Sequence, residues 1–222
     1  MAIDKGEPSR PPLDLREREI TLTPIGPNSG TPWLSWSRIA KTKRGPIYFS
    51  QDSSWRFSRE DMPGTLYVAQ NPATAFKEVF WDDLVSRPPR ERRLDRLKIE
   101  ERSLYLCALP KLLEVIDATN TDTLDALSAH GGTFGGAYSI CQDWAFALRA
   151  HSSKPEGILY ESVRNKGNLC LALFEEHCAK LAWEFSGGDL LIDTPELKGG
   201  QPGGNVIIAN VLANGAWNSR AS

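Results

Sequence analysis

Three strand-like segments follow one another in the second half of the chain, with no long helical segment between them. They read GILYES, NLCLALF and KLAWEF, at residues 157–162, 168–174 and 180–185. Earlier strand candidates occupy residues 19–25, 33–39, 47–49, 66–69, 103–110 and 112–119. Strands that do not alternate regularly with helices favour a mixed or antiparallel sheet over a doubly wound parallel one. The sequence therefore predicts an α+β fold with helices flanking such a sheet.

The clearest helix start is the pair Asn71-Pro72, which precedes the segment ATAFKEVFWDDLV. Asn is a favoured N-cap, and Pro suits the first turn because its missing N–H would have no partner there. The apolar stripe of this helix is formed by Ala73, Phe76, Val79 and Phe80. Glu78 lies off that stripe, so we expect its carboxylate on the polar face.

Two more helices are predicted on either side of a glycine-rich segment. Thr121, followed by the acidic Asp122, opens a short helix that we expect to stop at residues 131–132. Residues 137–151 show an amphipathic pattern, with apolar side chains about one turn apart. The glycine-rich segment GGTFGG at 131–136 follows a helix rather than a strand, so we interpret it as a flexible loop rather than a phosphate cradle.

The chain length of 222 residues suits one large domain. Residues 1–32 are rich in proline, glycine and charge, which indicates an extended N-terminal arm. We expect residues 33–188 to form the catalytic domain, with residues 189–222 packed on it as a C-terminal extension. No internal repeat is evident.

Composition excludes several classes of protein. The formal charge of −2 gives no general attraction to nucleic acid, and no apolar run reaches the roughly 20 residues that span a bilayer. The first residues lack the apolar core of a signal peptide. Four cysteines without a C-x-x-C pair, and three histidines without metal-ligand spacing, indicate reduced thiols and no metal site. These features predict a soluble cytoplasmic protein.

Familiar catalytic motifs are absent: there is no phosphate-binding P-loop, no G-x-S-x-G elbow and no H-E-x-x-H. What remains is a set of polar residues on predicted ordered elements, namely Arg38, Arg56, Tyr67, Glu78 and Ser162. Taken singly, each has an ordinary structural explanation, such as a solvated carboxylate or an arginine stacked on a ring. Composition and periodicity alone do not distinguish these residues.

The ordered set of motifs resembles the RES domain family, which is named for an Arg, a Glu and a Ser. The matching motifs are WSRIA, SWRF, GTLYVAQNPATAFKEVF, EGILYES and NLCLALF, and they occur in the family's order. The resemblance covers residues 33–185. It implies an ADP-ribosyltransferase-like fold with a cleft for NAD⁺, and an enzyme that degrades NAD⁺ as a bacterial toxin.

The resemblance also assigns roles to the matched residues. Glu78, with Arg38 and Ser162, forms the expected catalytic set, and the Glu78 carboxylate stabilises the oxocarbenium-like ribose when nicotinamide leaves. NAD⁺ is expected to contact Arg38, Arg56, Tyr67 and Ser162. The arginines suit the pyrophosphate, and Tyr67 offers a flat face for nicotinamide or a hydroxyl for ribose. Ser162 either bonds the nicotinamide ribose or holds Glu78 in place. The scheme needs no metal.

The acceptor stays open at this stage. Water would make the chain an NAD⁺ glycohydrolase, inorganic phosphate a phosphorylase, and a protein side chain a mono-ADP-ribosyltransferase. NAD⁺ degradation is favoured over protein modification. The resemblance further implies a partner, an antitoxin protein of the Xre type, because uncontrolled NAD⁺ loss would damage the producing cell.

Two departures from the family pattern support other interpretations. Ile39 stands where family members usually carry a Tyr, so the missing ring must come from Tyr48 or Trp36 or be absent, and an inactive binding module of the same fold is an alternative. The basic segment RPPRERRLDRLK at 87–98 is a candidate nucleic-acid patch. Its acidic residues and the net negative charge favour a solvated connection instead.

Overall fold

Eight strands form one curled sheet in the computed structural model, which describes residues 10–30, 35–86, 88 and 94–191. The order across the sheet is β1-β5-β6-β7-β3-β2-β4-β8. The strands are β1 (Thr23–Ile25), β2 (Trp36–Lys41), β3 (Thr65–Ala69), β4 (Arg102–Ala108), β5 (Leu113–Asp117), β6 (Gly157–Glu161), β7 (Leu169–Phe174) and β8 (Glu184–Leu190). Only β5 and β6 pair in parallel, and the other neighbours are antiparallel. The predicted mixed α+β fold is confirmed.

Five α-helices flank the sheet among the described residues. They are α1 (Pro72–Val85), α2 (Arg96–Glu100), α3 (Thr121–Leu127), α4 (Tyr138–Arg149) and α5 (Glu175–Cys178). Two 3₁₀ turns, Leu15–Glu17 and Thr42–Arg44, precede and follow the first two strands. None of these helices is long and apolar enough to cross a membrane.

Helix α1 starts as the sequence predicts. The Asn71 side chain accepts a hydrogen bond from Thr74 N at 2.9 Å, so the N-cap satisfies a backbone donor that has no partner within the helix. Phe76 and Phe80 are buried with their ring centroids 4.8 Å apart. Glu78 lies on another side of the helix and is only partly buried. The predicted burial of Phe76 and Phe80 and the position of Glu78 away from them are therefore confirmed, whereas Ala73 and Val79 of the predicted stripe are only partly buried.

Three sequence predictions about secondary structure are wrong in detail. Residues 47–49 are not a strand, because they take part in no ladder and the isolated bridge to Thr65 is made by the next residue, Ser50. Helix α3 ends at Leu127 rather than at 131–132, since Ser128 adopts a left-handed conformation that closes the last turn. The predicted strand at 180–185 begins only at Glu184 because turns precede it.

The remaining differences concern boundaries. Residues 33 and 34, most of the basic segment at 87–93 and the tail from 192 onward lie outside the described residues. Within the basic segment, the part from 96 onward forms helix α2 rather than an open connection.

Apolar side chains pack on both faces of the sheet, which explains why β3 and β7 contain runs of buried residues. Along β3, Leu66 and Val68 belong to one core cluster, whereas Ala69 belongs to the other and Tyr67 packs against it. Helices α1 and α4 cover the second face through Phe76, Phe80 and Trp144 among others. Because buried strands such as β3 and β7 are closely packed, they keep the polar side chains that they carry at fixed positions.

We expect Gly157→Ala to lower the free energy of unfolding by about 1–3 kcal/mol, the range for overpacking a dense core. A Cβ at Gly157 would clash with the carbonyl oxygen of Ala172 on β7 and would lie 3.0 Å from Leu173 Cδ2. Chemical denaturation measures the change. Gly131→Ala is the matched control, because nothing lies within 4 Å of a Cβ there, and it should stay within about 0.5 kcal/mol of the wild type. Equal stabilities for the two variants would contradict the packing described for β6 and β7.

Candidate active site

A cleft opens where β2 meets β3. The β2–β3 ladder has one registered pair, Ser37 with Ala69, whereas β2 pairs with β4 over six positions. Arg38 extends across this junction and donates to Tyr67 O at 2.6 Å and to Tyr48 O at 3.0 Å. The Arg38 side chain therefore satisfies one carbonyl of β3 where the β2–β3 ladder is interrupted, and one carbonyl of the loop between the two strands.

The cleft has a volume of about 350 Å³. Most of its lining comes from β2, β3, the loop between them, helix α1 and the start of α4, and single residues of β4, β6 and β7 complete it: Arg102, Tyr160 and Cys170. Helix α1 contributes Ala75, Glu78, Val79 and Asp82, which recur at the spacing of one helix face. Of the five residues predicted from the sequence, the cleft is lined by Arg38, Arg56, Tyr67 and Glu78.

The Arg38 guanidinium is buried, and its Nε has no hydrogen-bond partner among the described residues. Burial lowers the pKa of Arg38 to about 10, because desolvation disfavours the charged form. Each Nη carries two hydrogens, and one on each is used by the backbone carbonyls described above. Arg38 is therefore both a structural link across the β2–β3 junction and a positive charge at the cleft.

The Arg56 guanidinium is held by the glycine-rich segment and the start of α4. Its Nη1 donates to Gly136 O at 3.0 Å, and its Cζ lies over the Tyr138 ring, 4.9 Å from the ring centroid. The loop that carries Arg56 is fixed by Gln142, whose amide donates to Ser53 O and Trp55 O. The segment at 131–136, interpreted from sequence as a flexible loop, thus has a defined structural part in orienting Arg56.

Tyr67 faces the cleft with its ring rather than with its hydroxyl. The hydroxyl accepts from Phe57 N at 2.9 Å and hydrogen-bonds with Ser58 Oγ at 2.8 Å. Burial raises the pKa of Tyr67 well above its usual range, so the phenol stays protonated. The ring stacks on Trp55 with centroids 5.6 Å apart at 29°. Of the two roles expected for Tyr67, this geometry favours the flat face.

Glu78 is held by Ser162, which follows β6. Ser162 Oγ donates to Glu78 Oε1 at 2.5 Å. Ser162 is fully buried and is not among the described residues that line the cleft. Of the two roles expected for Ser162, the geometry favours positioning the carboxylate over contact with a ligand.

Positive charge dominates the cleft. Five of the lining residues are Lys or Arg and two carry carboxylates: Arg38, Lys41, Arg44, Arg56 and Arg102 against Glu78 and Asp82. Asp82 forms an ion pair with Arg164 at 2.7 Å, and Lys41 and Arg102 both pair with Glu101. No carboxylate partner is described for Arg38 or Arg56 within residues 10–30, 35–86, 88 and 94–191. A site with this balance is suited to an anion.

The sequence did not identify all of the aromatic residues in the cleft. Tyr48, one of the two candidates to replace the ring missing at Ile39, lines the cleft. The Arg44 Cζ lies over the Tyr48 ring, 4.2 Å from the ring centroid. Trp36, the other candidate, is buried in the core on the opposite face of the sheet and does not line the cleft. Trp55 and Tyr138 also line it, and the only sequence signal for Trp55 was its place beside Arg56 in SWRF.

The four cysteines are free and buried, as the sequence predicts: Cys107, Cys141, Cys170 and Cys178. Burial raises the pKa of every one of these thiols, which disfavours a nucleophilic thiolate. Cys170 lies at the cleft but is almost completely covered. Among the described residues, no group of three or more His, Cys, Asp or Glu side chains is arranged to hold a metal ion.

Comparisons with known proteins agree with this architecture. The family model described as RES domain matches residues 35–189. A chain of the crystal structure of the M. tuberculosis MbcT–MbcA toxin–antitoxin complex superposes with a TM-score of 0.52 at 14% sequence identity, covering 69% of this chain and 82% of that one. At this identity the likeness establishes a shared fold. No curated protein matches the sequence.

Proposed function

Because the chain belongs to the RES domain family, we propose that it consumes NAD⁺ by cleaving the bond between nicotinamide and ribose. We further propose that residues 33–188 form the catalytic unit, which the family match over residues 35–189 supports. The reaction releases nicotinamide and transfers ADP-ribose to water or inorganic phosphate.

One observation carries this proposal: the buried guanidiniums of Arg38 and Arg56 line the same cleft as the Glu78 carboxylate. Among the described residues, Arg38 and Arg56 donate hydrogen bonds to backbone carbonyls and, from Arg56, to the Cys141 thiol, so no described acidic residue neutralises their charges. A dinucleotide supplies the missing negative charge through its pyrophosphate. Glu78 then meets the part of the substrate where positive charge develops.

The chemistry matches these residue types. Loss of nicotinamide leaves an oxocarbenium-like ribose, and a carboxylate beside it lowers the energy of that charge. The hydrogen bond from Ser162 fixes one oxygen of Glu78, which leaves the other to face the ribose or to orient the acceptor. The stacked rings of Trp55 and Tyr67 offer an apolar platform for nicotinamide.

We expect Arg56→Ala to weaken NAD⁺ binding by about 1.5–3 kcal/mol, the range for hydrogen bonds to charged groups. Arg38→Ala should weaken binding to a similar extent and should also lower the melting temperature, because Arg38 joins the two sides of the β2–β3 junction. Isothermal calorimetry and thermal melting measure the two effects. Unchanged affinity in both variants would mean that NAD⁺ binds elsewhere.

Product analysis tests the reaction and identifies the acceptor. Purified protein is incubated with NAD⁺ in buffers with and without inorganic phosphate, and the products are identified by mass spectrometry. ADP-ribose in both buffers indicates a glycohydrolase, whereas a phosphorylated ADP-ribose formed only with phosphate indicates a phosphorylase. ADP-ribose attached to added cell proteins would indicate the alternative activity of a mono-ADP-ribosyltransferase. NAD⁺ left intact in every mixture would favour an inactive binding module.

We also propose that the chain is a toxin controlled by an antitoxin, acting on the NAD⁺ pool of the cytoplasm. The structural neighbour with the same fold comes from a toxin–antitoxin complex, which supports this assignment. An antitoxin of the Xre type that covers the cleft would keep NAD⁺ away from Glu78.

A further inference from the structure

The loop between β6 and β7, residues 162–168, is attached to α1 along the length of that helix. Asn168 Oδ1 accepts from Asn71 Nδ2 at 2.8 Å at the start of the helix. The Asn165 side chain bonds to α1 one turn later, and Arg164 pairs with Asp82 a further turn or two along. These side-chain contacts fix the loop relative to the helix that carries Glu78.

The loop also sets the direction of the hydrogen bond from Ser162 to Glu78. A serine hydroxyl has one hydrogen to donate and two lone pairs to accept with. Ser162 Oγ accepts from the backbone N–H groups of Asn165 at 2.9 Å and Arg164 at 3.2 Å. Both lone pairs are therefore engaged, and the single hydrogen is directed to Glu78 Oε1.

Asn165 joins this turn to α1 with both ends of its amide. Its Nδ2 donates to Thr74 Oγ1 at 2.8 Å, and its Oδ1 accepts from Lys77 Nζ at 2.7 Å. Thr74 is itself fixed, because its hydroxyl donates to the N-cap oxygen of Asn71. The two partners of Asn165 lie four residues and one residue before Glu78, on the same stretch of helix.

We propose that Asn165 is a positioning residue, which acts through Ser162 to hold the Glu78 carboxylate in its reactive orientation. The proposal rests on the proposed function, since it concerns the carboxylate assigned to NAD⁺ cleavage there. Asn165 is not among the described residues that line the cleft, so it makes no direct contribution to the space that NAD⁺ would fill.

A positioning role predicts that substitution of Asn165 lowers kcat without changing KM. Asn165→Leu keeps the approximate size of the side chain and removes both of its hydrogen bonds to α1. The middle attachment of the loop is then lost, so the backbone N–H groups that hold Ser162 Oγ, and with them the direction of its bond to Glu78, can shift. Small displacements of a catalytic group cost up to about a hundredfold in rate. We expect kcat for NAD⁺ cleavage to fall roughly ten- to hundredfold, with KM and the calorimetric Kd for NAD⁺ within about twofold of the wild type.

Three further variants make the test specific. Asn165→Asp retains an oxygen for Lys77, so it should recover part of the lost kcat. Lys166→Ala, an exposed neighbour in the same loop, should leave both constants unchanged. Lys77→Met removes one partner of Asn165 from the surface of α1 and should lower kcat without changing KM, which keeps the test available even if Asn165→Leu does not fold.

Non-additivity distinguishes positioning from a general loss of stability. If Asn165 acts only through Ser162, the double variant Ser162→Ala with Asn165→Leu should be no slower than the slower of the two single variants. Rate losses that multiply in the double variant, or a changed KM in Asn165→Leu, would overturn the proposal, as would a wild-type kcat in that variant. Failure of the proposed function is a separate result: the wild type itself would then cleave no NAD⁺.

Discussion

Glu78→Gln is expected to reduce NAD⁺ turnover at least about a hundredfold while leaving the fold intact. Removing one preorganised electrostatic contact from an active site typically costs a hundred- to a thousandfold in kcat. Gln is nearly the same size, and its oxygen can still accept from Ser162 Oγ, so the packing around residue 78 should persist. What is lost is the negative charge that stabilises the developing oxocarbenium-like ribose. Turnover, NAD⁺ affinity and melting temperature should be measured together.

The matched control for this variant is Glu114→Gln. Glu114 is an exposed residue of β5 and is not among the described residues that line the cleft. The Glu114→Gln variant should retain wild-type turnover, because it makes the same chemical change away from the cleft. Wild-type turnover in Glu78→Gln would remove Glu78 from the mechanism, even if the chain still degrades NAD⁺.

Expression of the wild-type chain alone is expected to arrest bacterial growth and to lower the cellular concentration of NAD⁺. The physical reason is that the cleft offers Arg38 and Arg56 to an anion, since neither has a carboxylate partner among the described residues. The proposed reaction also consumes a metabolite that every cell needs. Growth curves and extraction of NAD⁺ after induction measure the two effects. Co-expression of the cognate antitoxin should restore both.

The cellular test also has an internal control. Glu78→Gln should accumulate to the same level as the wild type without slowing growth, whereas Glu114→Gln should remain toxic. If the wild-type chain accumulates to a high level while growth and NAD⁺ are unchanged, the inactive binding module becomes the better account of this fold.

Local sequence signals were sufficient to predict the elements that carry the site. The Asn71-Pro72 pair defines the start of α1 through a cap that the structure contains, and the apolar spacing of Phe76 and Phe80 leaves Glu78 on the other side. The strand pattern around Tyr67 likewise predicted β3. These predictions succeeded because capping and periodicity act over a few residues.

The parts that depend on contacts between distant segments could not be predicted in this way. Whether residues 47–49 form a strand depends on which distant segment lies alongside them, and in the structure the adjacent Ser50 makes one isolated bridge to Thr65. The orientation of Arg56 depends on Gly136, which is 80 residues away in sequence. Sequence patterns carry no direct record of such pairings.

Ser162 illustrates both cases at once. The family motif identified the residue, but its two expected roles could be separated only when the turn formed by Asn165 was seen to engage both lone pairs of the hydroxyl. The single remaining hydrogen then assigns Ser162 to Glu78.

Release of free nicotinamide from NAD⁺ by the purified chain is the most direct test of the proposed reaction. The two compounds can be quantified by chromatography over time in one mixture, with Glu78→Gln measured in parallel at the same concentration. We predict that each molecule of NAD⁺ consumed yields one molecule of nicotinamide, and that the variant releases at least about a hundredfold less per unit time. NAD⁺ that remains intact with folded wild-type protein, or is consumed without release of nicotinamide, would contradict the proposal.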